Sequence, residues 1–218
     1  MENVKGIIFD MDGTLIDSLY IWEVIWDTLG KDYSKPGFRP SCDDDKAIRT
    51  MLLSDACDMV HGKYGLGASG KELLKRMDEI CIDFYANTVE LKKGVRKFLD
   101  DCMKKGIKMC VATATSLDLI SIAVKSCDLS KYFFDILSCA AFGKGKDCPD
   151  IYLCALEKLA TPKEQTWVFE DSAVALTTAS KMGLHTVGIY DDNNYGQDIL
   201  KATANIYLDK GESFEKLI

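Results

Sequence analysis

Two aspartates follow the first apolar run of the chain. Residues 6–9, GIIF, are followed by Asp10, and Asp12 comes two positions later, just before Gly13 and Thr14. A short apolar run of this kind is typical of a buried strand. A carboxylate can attack phosphorus to form an aspartyl phosphate, and a second acid nearby can protonate the leaving oxygen. The pair is therefore a candidate for phosphoryl-transfer chemistry at the end of a strand.

Three further segments carry polar residues at comparable positions. In a parallel α/β sheet, ligands bind at the carboxyl ends of the strands, so the residues after each apolar run are the candidates. The run MCVA ends before a hydroxyl-rich segment, WVF ends before two acids, and a glycine-broken loop after FFDILSCAAF carries two lysines. These candidates are Thr113, Ala114, Thr115, Ser116, Glu170, Asp171, Ser172, Lys144 and Lys146.

Four acids stand at these positions, and they would repel one another if the fold brought them together without a cation. Hard oxygen ligands of this kind favour Mg²⁺. Hydroxyl groups, the main-chain N–H groups at the start of the helix after Thr113, and a lysine are the groups that bind a tetrahedral oxyanion. Any single acid could instead cap a helix or start a turn, but the ordered set of four segments favours a phosphate site beside Mg²⁺. The acids are Asp10, Asp12, Glu170 and Asp171.

Strand and helix patterns alternate along most of the chain. Six short apolar runs predict strands, and four segments with 3.6-residue periodicity predict the helices between them. This alternation predicts an α/β fold with a doubly wound, Rossmann-like parallel sheet covered by helices on both faces. The predicted strands are VKGIIF, IKMCVAT, FFDILS, TWVFE, HTVGIY and ANIYLD.

Residues 19–88 interrupt this alternation. They contain three helical patterns and no convincing strand; the patterns are IWEVIWDTLG, DKAIRTMLLSDACDMV and KELLKRMDEICIDFYANT. We therefore predict a core formed by residues 1–18 and 89–218. The inserted segment, residues 19–88, is predicted to be an α-helical cap that closes over the site and excludes water during the reaction.

The amino-acid composition argues against two classes of binding partner. The formal net charge is −7, and no cluster of Lys and Arg is present. Nucleic acids and anionic membranes need such a cluster, so neither is expected as a partner. No apolar run approaches the roughly 20 residues of a membrane span. The nine cysteines show no CxxC spacing and no N-terminal signal segment is recognisable, so reduced thiols and a cytoplasmic location are predicted.

Three features of the insertion allow a functional interpretation, but a structural one is favoured for each. GLGASG at 65–70 matches the GxGxxG nucleotide-binding pattern, yet it follows a helical segment instead of a buried strand. CDDD at 42–45 is interpreted as a solvated charge run before a helix, and not as a cation site. Trp22 and Trp26 are interpreted as packing residues four positions apart on a helix, with contact to a substrate as the alternative.

Together, these motifs resemble those of the haloacid dehalogenase-like superfamily, in its phosphatase branch with a helical cap after the first strand. DMDGT resembles the first family motif, and Thr113 in VATATS, Lys146 in GKDCPDIY and FEDS at 169–172 resemble the next three in order. The resemblance spans the whole chain. It implies a Mg²⁺-dependent enzyme that hydrolyses a small phosphorylated metabolite.

The resemblance also implies a role for each site residue. Asp10 would be the nucleophile, and Asp12 would be the general acid that later activates water. Thr113, the Ala114 amide and Lys146 would bind the phosphoryl group that is transferred. The implied ligands of Mg²⁺ are Asp10, the main-chain carbonyl of Asp12, Asp171 and, directly or through water, Glu170.

Two departures from the family pattern leave alternatives open. Asp147 stands where the family usually has a proline, which would put a carboxylate beside Lys146, and Lys144 is the alternative phosphate-binding lysine. The related β-phosphoglucomutases carry a His where Trp22 stands and an Arg in a Gly-x-Ser-Arg segment not found in this sequence. Hydrolysis is therefore favoured over a sugar-phosphate mutase, and the intact set of acids, Thr113 and Lys146 disfavours a non-catalytic phosphate-binding or metal-binding module. The acid at Asp12 disfavours a dehalogenase.

Overall fold

Strands and helices alternate along the chain, as the sequence predicts. The computed structural model describes residues 1, 3–49, 51 and 53–217. In chain order the strands are β1 (Gly6–Phe9), β2 (Ile16–Asp17), β3 (Glu90–Leu91), β4 (Lys108–Thr113), β5 (Asp135–Ser138), β6 (Thr166–Glu170), β7 (His185–Ile189) and β8 (Ile206–Leu208). Six of them form one parallel sheet in the order β5-β4-β1-β6-β7-β8.

Helices connect the parallel strands and fill the insertion. In chain order they are α1 (Ile21–Asp32), α2 (Cys42–Ile48), α3 (Leu53–Tyr64), α4 (Gly70–Asn87), α5 (Val95–Lys104), α6 (Leu117–Ser126), α7 (Asp150–Leu159), α8 (Ala173–Lys181) and α9 (Gln197–Thr203). The predicted fold class, a doubly wound α/β sheet with an inserted helical segment, is confirmed. Within the described residues, no helix combines the length and apolar character needed to cross a membrane.

The central strand β1 has helices packed on both of its faces. Successive strand residues point to opposite faces, and Ile8 packs in a cluster with Tyr152 of α7. Phe9, on the other face, contacts Phe98 of α5 edge to face with ring centroids 6.3 Å apart. The neighbours of β1 are β4 on one side and β6 on the other, so the strand order reverses here. Ligands of open α/β sheets bind at the carboxyl ends of strands at such a position.

The chain divides into two compact units, residues 1–19 with 89–218 and residues 20–88. The first unit contains the parallel sheet, and the second contains α1–α4. The functions predicted for these segments, a catalytic core and a closing cap, stay predictions.

In the helical unit, one predicted helix is wrong. DKAIRTMLLSDACDMV, residues 45–60, was predicted as continuous, but α2 ends at Ile48 and α3 begins at Leu53, with residues 50 and 52 outside the described part. The N–H of Met51 donates to the carbonyl of Ile48, an i to i−3 bond that closes a turn instead of extending the helix. Apolar spacing continues across this break, which is why periodicity alone does not reveal it.

The acidic run CDDD, predicted to lie before a helix, instead forms the first turn of α2, and its residue Asp44 is not solvated. Asp43 is exposed, whereas Asp44 is buried and accepts hydrogen bonds from Lys63 and Tyr64. The solvated interpretation is therefore wrong for Asp44, because α3 supplies partners that the local sequence does not show.

The two tryptophans of α1 lie in an aromatic and charged cluster. The centroids of the two rings are 5.8 Å apart, and the guanidinium carbon of Arg49 lies 5.5 Å from the ring centroid of Trp22. Trp26 is buried and its indole N–H donates to Asp45 at 3.0 Å. These contacts within the unit agree with packing as the role of Trp26.

A second, two-stranded sheet was not predicted. β2 and β3 pair antiparallel, with Ile16 opposite Leu91 and Asp17 opposite Glu90. The N–H of Lys92 then donates to the Leu15 carbonyl at 3.0 Å. Two-residue strands are too short to produce a periodic pattern, but this pairing returns the chain to the end of β1 after the insertion.

Candidate active site

The carboxyl ends of β1 and β6 bring three acidic residues together. Phe9 lies opposite Phe169 in the sheet, so Asp10 and Glu170 follow at the same level. The N–H of Asp10 donates to the Phe169 carbonyl at 2.9 Å. Asp10, Glu170 and Asp171 are buried, and one carboxylate oxygen of each lies within 4.8 Å of the others. We call these three residues the carboxylate cluster.

The ammonium group of Lys146 contacts this cluster directly. It forms buried ion pairs with Asp10 and with Glu170, the latter at 2.5 Å. Lys146 comes from the loop between β5 and α7. One cation therefore neutralises part of the charge of the three acids, and two negative charges are left over when all four groups are ionised.

The two candidate lysines lie in the same loop but have different partners. Lys144 is exposed, and its ammonium pairs with Asp150 at 2.9 Å, outside the carboxylate cluster. Asp147, which replaces the family proline, is also exposed and forms no ion pair with Lys146 in the part of the chain that the structure describes. Lys146 is thus the candidate that the structure places at the cluster.

Burial makes the negative charges of the cluster unfavourable. It raises the pKa of Asp10 to about 6, although the nearby Lys146 ammonium favours the carboxylate. Burial, together with the charges of Asp10 and Glu170, raises the pKa of Asp171 well above its usual range. Burial also opposes the charge on Lys146, but the two carboxylates beside it outweigh this effect and raise the pKa of Lys146 well above its usual value.

The carboxylate cluster fits a divalent cation. Its donors are carboxylate oxygens, which Mg²⁺ prefers, and its excess of two negative charges is the charge that one Mg²⁺ balances. Three of the four ligands predicted from the sequence, Asp10, Glu170 and Asp171, are therefore brought together. The fourth, the main-chain carbonyl of Asp12, stays a prediction.

Asp12 has different side-chain partners. Its Oδ1 accepts a hydrogen bond from Ser18 Oγ at 2.7 Å, and its Oδ2 accepts one from Thr115 Oγ1 at 2.8 Å. Ser18 follows β2, and Thr115 follows β4. Two hydroxyl groups from separate loops thus fix the orientation of the second carboxylate of the aspartate pair.

The predicted phosphate-binding residues Thr113 and Ala114 lie at the carboxyl end of β4, the strand beside β1. Thr113 is buried, and its hydroxyl oxygen accepts a hydrogen bond from the N–H of Thr115 at 3.1 Å. Ala114 is exposed. Because Thr115 also bonds Asp12, this loop is joined to the one after β1, at the edge of the sheet where Asp10 lies.

Comparison with known proteins identifies the family. The haloacid dehalogenase-like hydrolases match this chain over residues 7–189. The chain belongs to this family. The predicted family and the expectation of an enzyme are therefore confirmed.

The most similar proteins include two phosphatases. This hydrolase is 27% identical over 202 residues to the phosphorylated carbohydrates phosphatase of Thermotoga maritima, covering 92% of each chain. It is 25% identical over 191 residues to hexitol phosphatase B of Escherichia coli K12, covering 85% of this chain and 83% of the relative. The structure of CbbY from Rhodobacter sphaeroides in complex with phosphate has a TM-score of 0.76 at 20% identity, with 94% of both chains covered. That likeness supports the fold.

Three residues of this hydrolase make site contacts that were not predicted. Ser18 bonds Asp12, while Thr14 Oγ1 and Asn194 Nδ2 donate to the two oxygens of Asp171, at 3.0 and 2.6 Å. Thr14 lies within DMDGT, so the motif itself indicates it. Asn194 lies after the predicted strand HTVGIY, and the rule that site residues follow strand ends applies there too. Ser18 has no comparable signal in the sequence.

Proposed function

We propose that this hydrolase is a Mg²⁺-dependent phosphatase that acts on a small phosphomonoester through an aspartyl phosphate on Asp10. The observation that carries the proposal is the buried cluster in which Lys146 pairs with Asp10 and Glu170 beside Asp171. The two phosphatase relatives support a phosphoric monoester hydrolase. The substrate class in the name of one of them supports a phosphorylated carbohydrate as the substrate.

The first chemical step uses both members of the aspartate pair. A carboxylate oxygen of Asp10 attacks phosphorus, the bond from phosphorus to the substrate oxygen breaks, and that oxygen takes a proton from Asp12. The products are the free alcohol, the Asp12 carboxylate and the aspartyl phosphate. Ser18 and Thr115 orient the Asp12 carboxyl group for this transfer.

The second step regenerates the enzyme. Water attacks the phosphorus of the aspartyl phosphate while Asp12 takes one of its protons, and the bond between phosphorus and the Asp10 oxygen breaks. Inorganic phosphate and the Asp10 carboxylate are released. Asp12 is protonated again and is ready to act as an acid.

Three groups would bind the phosphoryl oxygens. The Lys146 ammonium has three N–H donors, of which Asp10 and Glu170 take two, and the third would donate to a phosphoryl oxygen. The Thr113 hydroxyl accepts a hydrogen bond from the loop and can donate its own proton to a phosphoryl oxygen. The N–H of Ala114, at the end of the same strand, would supply the third donor.

The metal site would be formed by the carboxylate cluster. Asp10, Glu170 and Asp171, with the main-chain carbonyl of Asp12, would hold Mg²⁺. When bound, the ion would neutralise the negative charge of the phosphoryl group and of the crowded acids.

The proposal is tested by phosphate release from a panel of sugar, nucleotide and small-acid phosphomonoesters, measured with Mg²⁺ and after chelation. We expect release that requires Mg²⁺ and is fastest with a sugar phosphate. Tight ligand binding without turnover of any substrate would contradict catalysis. β-Glucose 1-phosphate with its bisphosphate activator is the second arm, because its conversion to glucose 6-phosphate with little free phosphate would replace hydrolysis by mutase activity.

A further inference from the structure

Asp171 is held by a residue from the loop after β7. The Nδ2 group of Asn194 donates to Asp171 Oδ2 at 2.6 Å and to the Asp171 main-chain carbonyl at 3.2 Å. Thr14 Oγ1 donates to the other carboxylate oxygen at 3.0 Å. Both oxygens of this buried carboxylate therefore have a donor, and one side chain, Asn194, fixes the carboxylate and its own backbone together.

The loop around Asn194 is itself well ordered by hydrogen bonds. Asp191 is buried, pairs with Lys92 at 2.7 Å and accepts from the N–H of Asn193 at 2.8 Å. The N–H of Asn194 donates to the Asp191 carbonyl at 3.3 Å, and Asn194 Oδ1 accepts from the N–H of Tyr195 at 2.8 Å. This last bond orients the amide so that its NH₂ group faces Asp171.

We propose that Asn194 is a positioning residue for the cation site, and this inference rests on the proposed Mg²⁺ site. The carboxylate of Asp171 is crowded by Asp10 and Glu170, and charge repulsion favours its rotation away from them when no cation is bound. The amide of Asn194 opposes that rotation, so the ligand oxygens are already in place when the cation arrives. Groups that hydrogen-bond metal ligands typically affect metal affinity by about 10- to 100-fold.

The test measures cation binding directly, by titration calorimetry with Mg²⁺ and by electron paramagnetic resonance of Mn²⁺, on the full chain without substrate. The variants are Asn194→Ala and Asn194→Leu, the second of which removes the amide but keeps a side chain of similar size. The matched control is Asn87→Ala, because Asn87 Nδ2 also donates to a carboxylate, that of Asp83, at 2.9 Å, but does so on an exposed part of α4.

We expect both Asn194 variants to bind the cation about 10- to 100-fold more weakly, with the control like the wild type. Both variants should remain folded without metal, and saturating Mg²⁺ should restore most of their kcat. Affinity within about twofold of the wild type in the Asn194 variants would overturn the inference, as would a loss of stability with unchanged affinity. If the wild-type protein itself bound no cation, the proposed Mg²⁺ site would fail first.

Discussion

Each of the two compact units buries aspartate next to lysine, but the charge balance differs. In the helical unit, Asp44 is bonded by Lys63 at 2.8 Å and by the hydroxyl of Tyr64, so one carboxylate meets one ammonium. In the unit with the parallel sheet, Lys146 faces two carboxylates directly and a third acid lies within the same cluster. We call Asp44 with Lys63 a balanced pair, because the charges of its two side chains cancel without a further ion.

The unbalanced cluster has a different physical meaning. Burying excess negative charge is unfavourable in the absence of a cation, and a protein tolerates it where the function needs it. Burial of an acid beside a lysine is therefore not by itself a sign of a binding site. The excess negative charge is the sign, because a bound cation is needed to balance it.

The largest effect should follow from Asp10→Asn, which removes the nucleophile from the unbalanced cluster. We expect kcat to fall on the order of 10⁴- to 10⁶-fold, as it does when the nucleophile of a covalent mechanism is removed. The measurement is phosphate release at saturating Mg²⁺. Asp43→Asn, an exposed acid of the helical unit, is the control and should stay within about twofold of the wild type. Substantial turnover by the Asp10 variant would remove Asp10 from the role of nucleophile.

Asp12→Asn should have a smaller but still large effect. Loss of a general acid and base typically lowers the rate by about 10²- to 10⁴-fold. With a substrate whose leaving group needs no proton, such as a nitrophenyl ester, the first step should recover, while hydrolysis of the aspartyl phosphate stays slow. Acid quenching followed by mass spectrometry should then find phosphate on Asp10. Equal losses with both kinds of substrate and no trapped phosphate would argue against Asp12 as the proton carrier.

The sequence predicts contacts that follow from regular strands and their parallel order, and it does not predict contacts that depend on how helices and loops pack. The acids Asp10, Glu170 and Asp171 follow strongly apolar strands, so strand ends and parallel topology suffice to bring them together. The contacts of Asp44 and Asn194 depend on where α3 and the loop after β7 pack. Packing of that kind leaves no periodic signal in the local sequence.

Two other features were also not predictable from the sequence. They are the break between α2 and α3 and the pairing of β2 with β3. Helical spacing of apolar residues continues across residues 49–52, so periodicity predicts one helix where the backbone forms two. The two-residue strands fall below the length at which alternation is readable. Regular elements with buried faces were predictable, and short irregular connections were not.

Lys92→Met tests whether a balanced pair within the sheet-containing unit behaves like the one in the helical unit. Asp191 is almost fully buried, and loss of its partner leaves a buried carboxylate without a counter-ion. We expect the free energy of unfolding to fall by about 2–3 kcal/mol, measured by urea denaturation. Lys93→Met, at an exposed neighbour, is the control. Equal destabilisation by the two substitutions would show that the Lys92 pair adds nothing specific.

The smallest effect, and one confined to stability, is expected for Asp44→Asn. Hydrogen bonds from Lys63 and Tyr64 lower the pKa of Asp44 to about 2, below its value of about 3.9 in an unfolded chain. A depressed carboxylate pKa stabilises the folded state above the unfolded value, and this contribution is lost as the pH falls through the folded value. The wild type should therefore melt above Asp44→Asn at pH 7, and the gap should close between about pH 4 and about pH 2.

Thermal melts of both proteins across that range give the measurement. Asp43→Asn, in the first turn of the same helix but exposed, serves as the matched control, and its difference from the wild type should change much less with pH. A gap for Asp44→Asn that stayed constant down to pH 2 would mean that the side chain stabilises the helix without its charge. The balanced pair in the helical unit would then be an ordinary hydrogen bond, and the contrast with the carboxylate cluster would rest on that cluster alone.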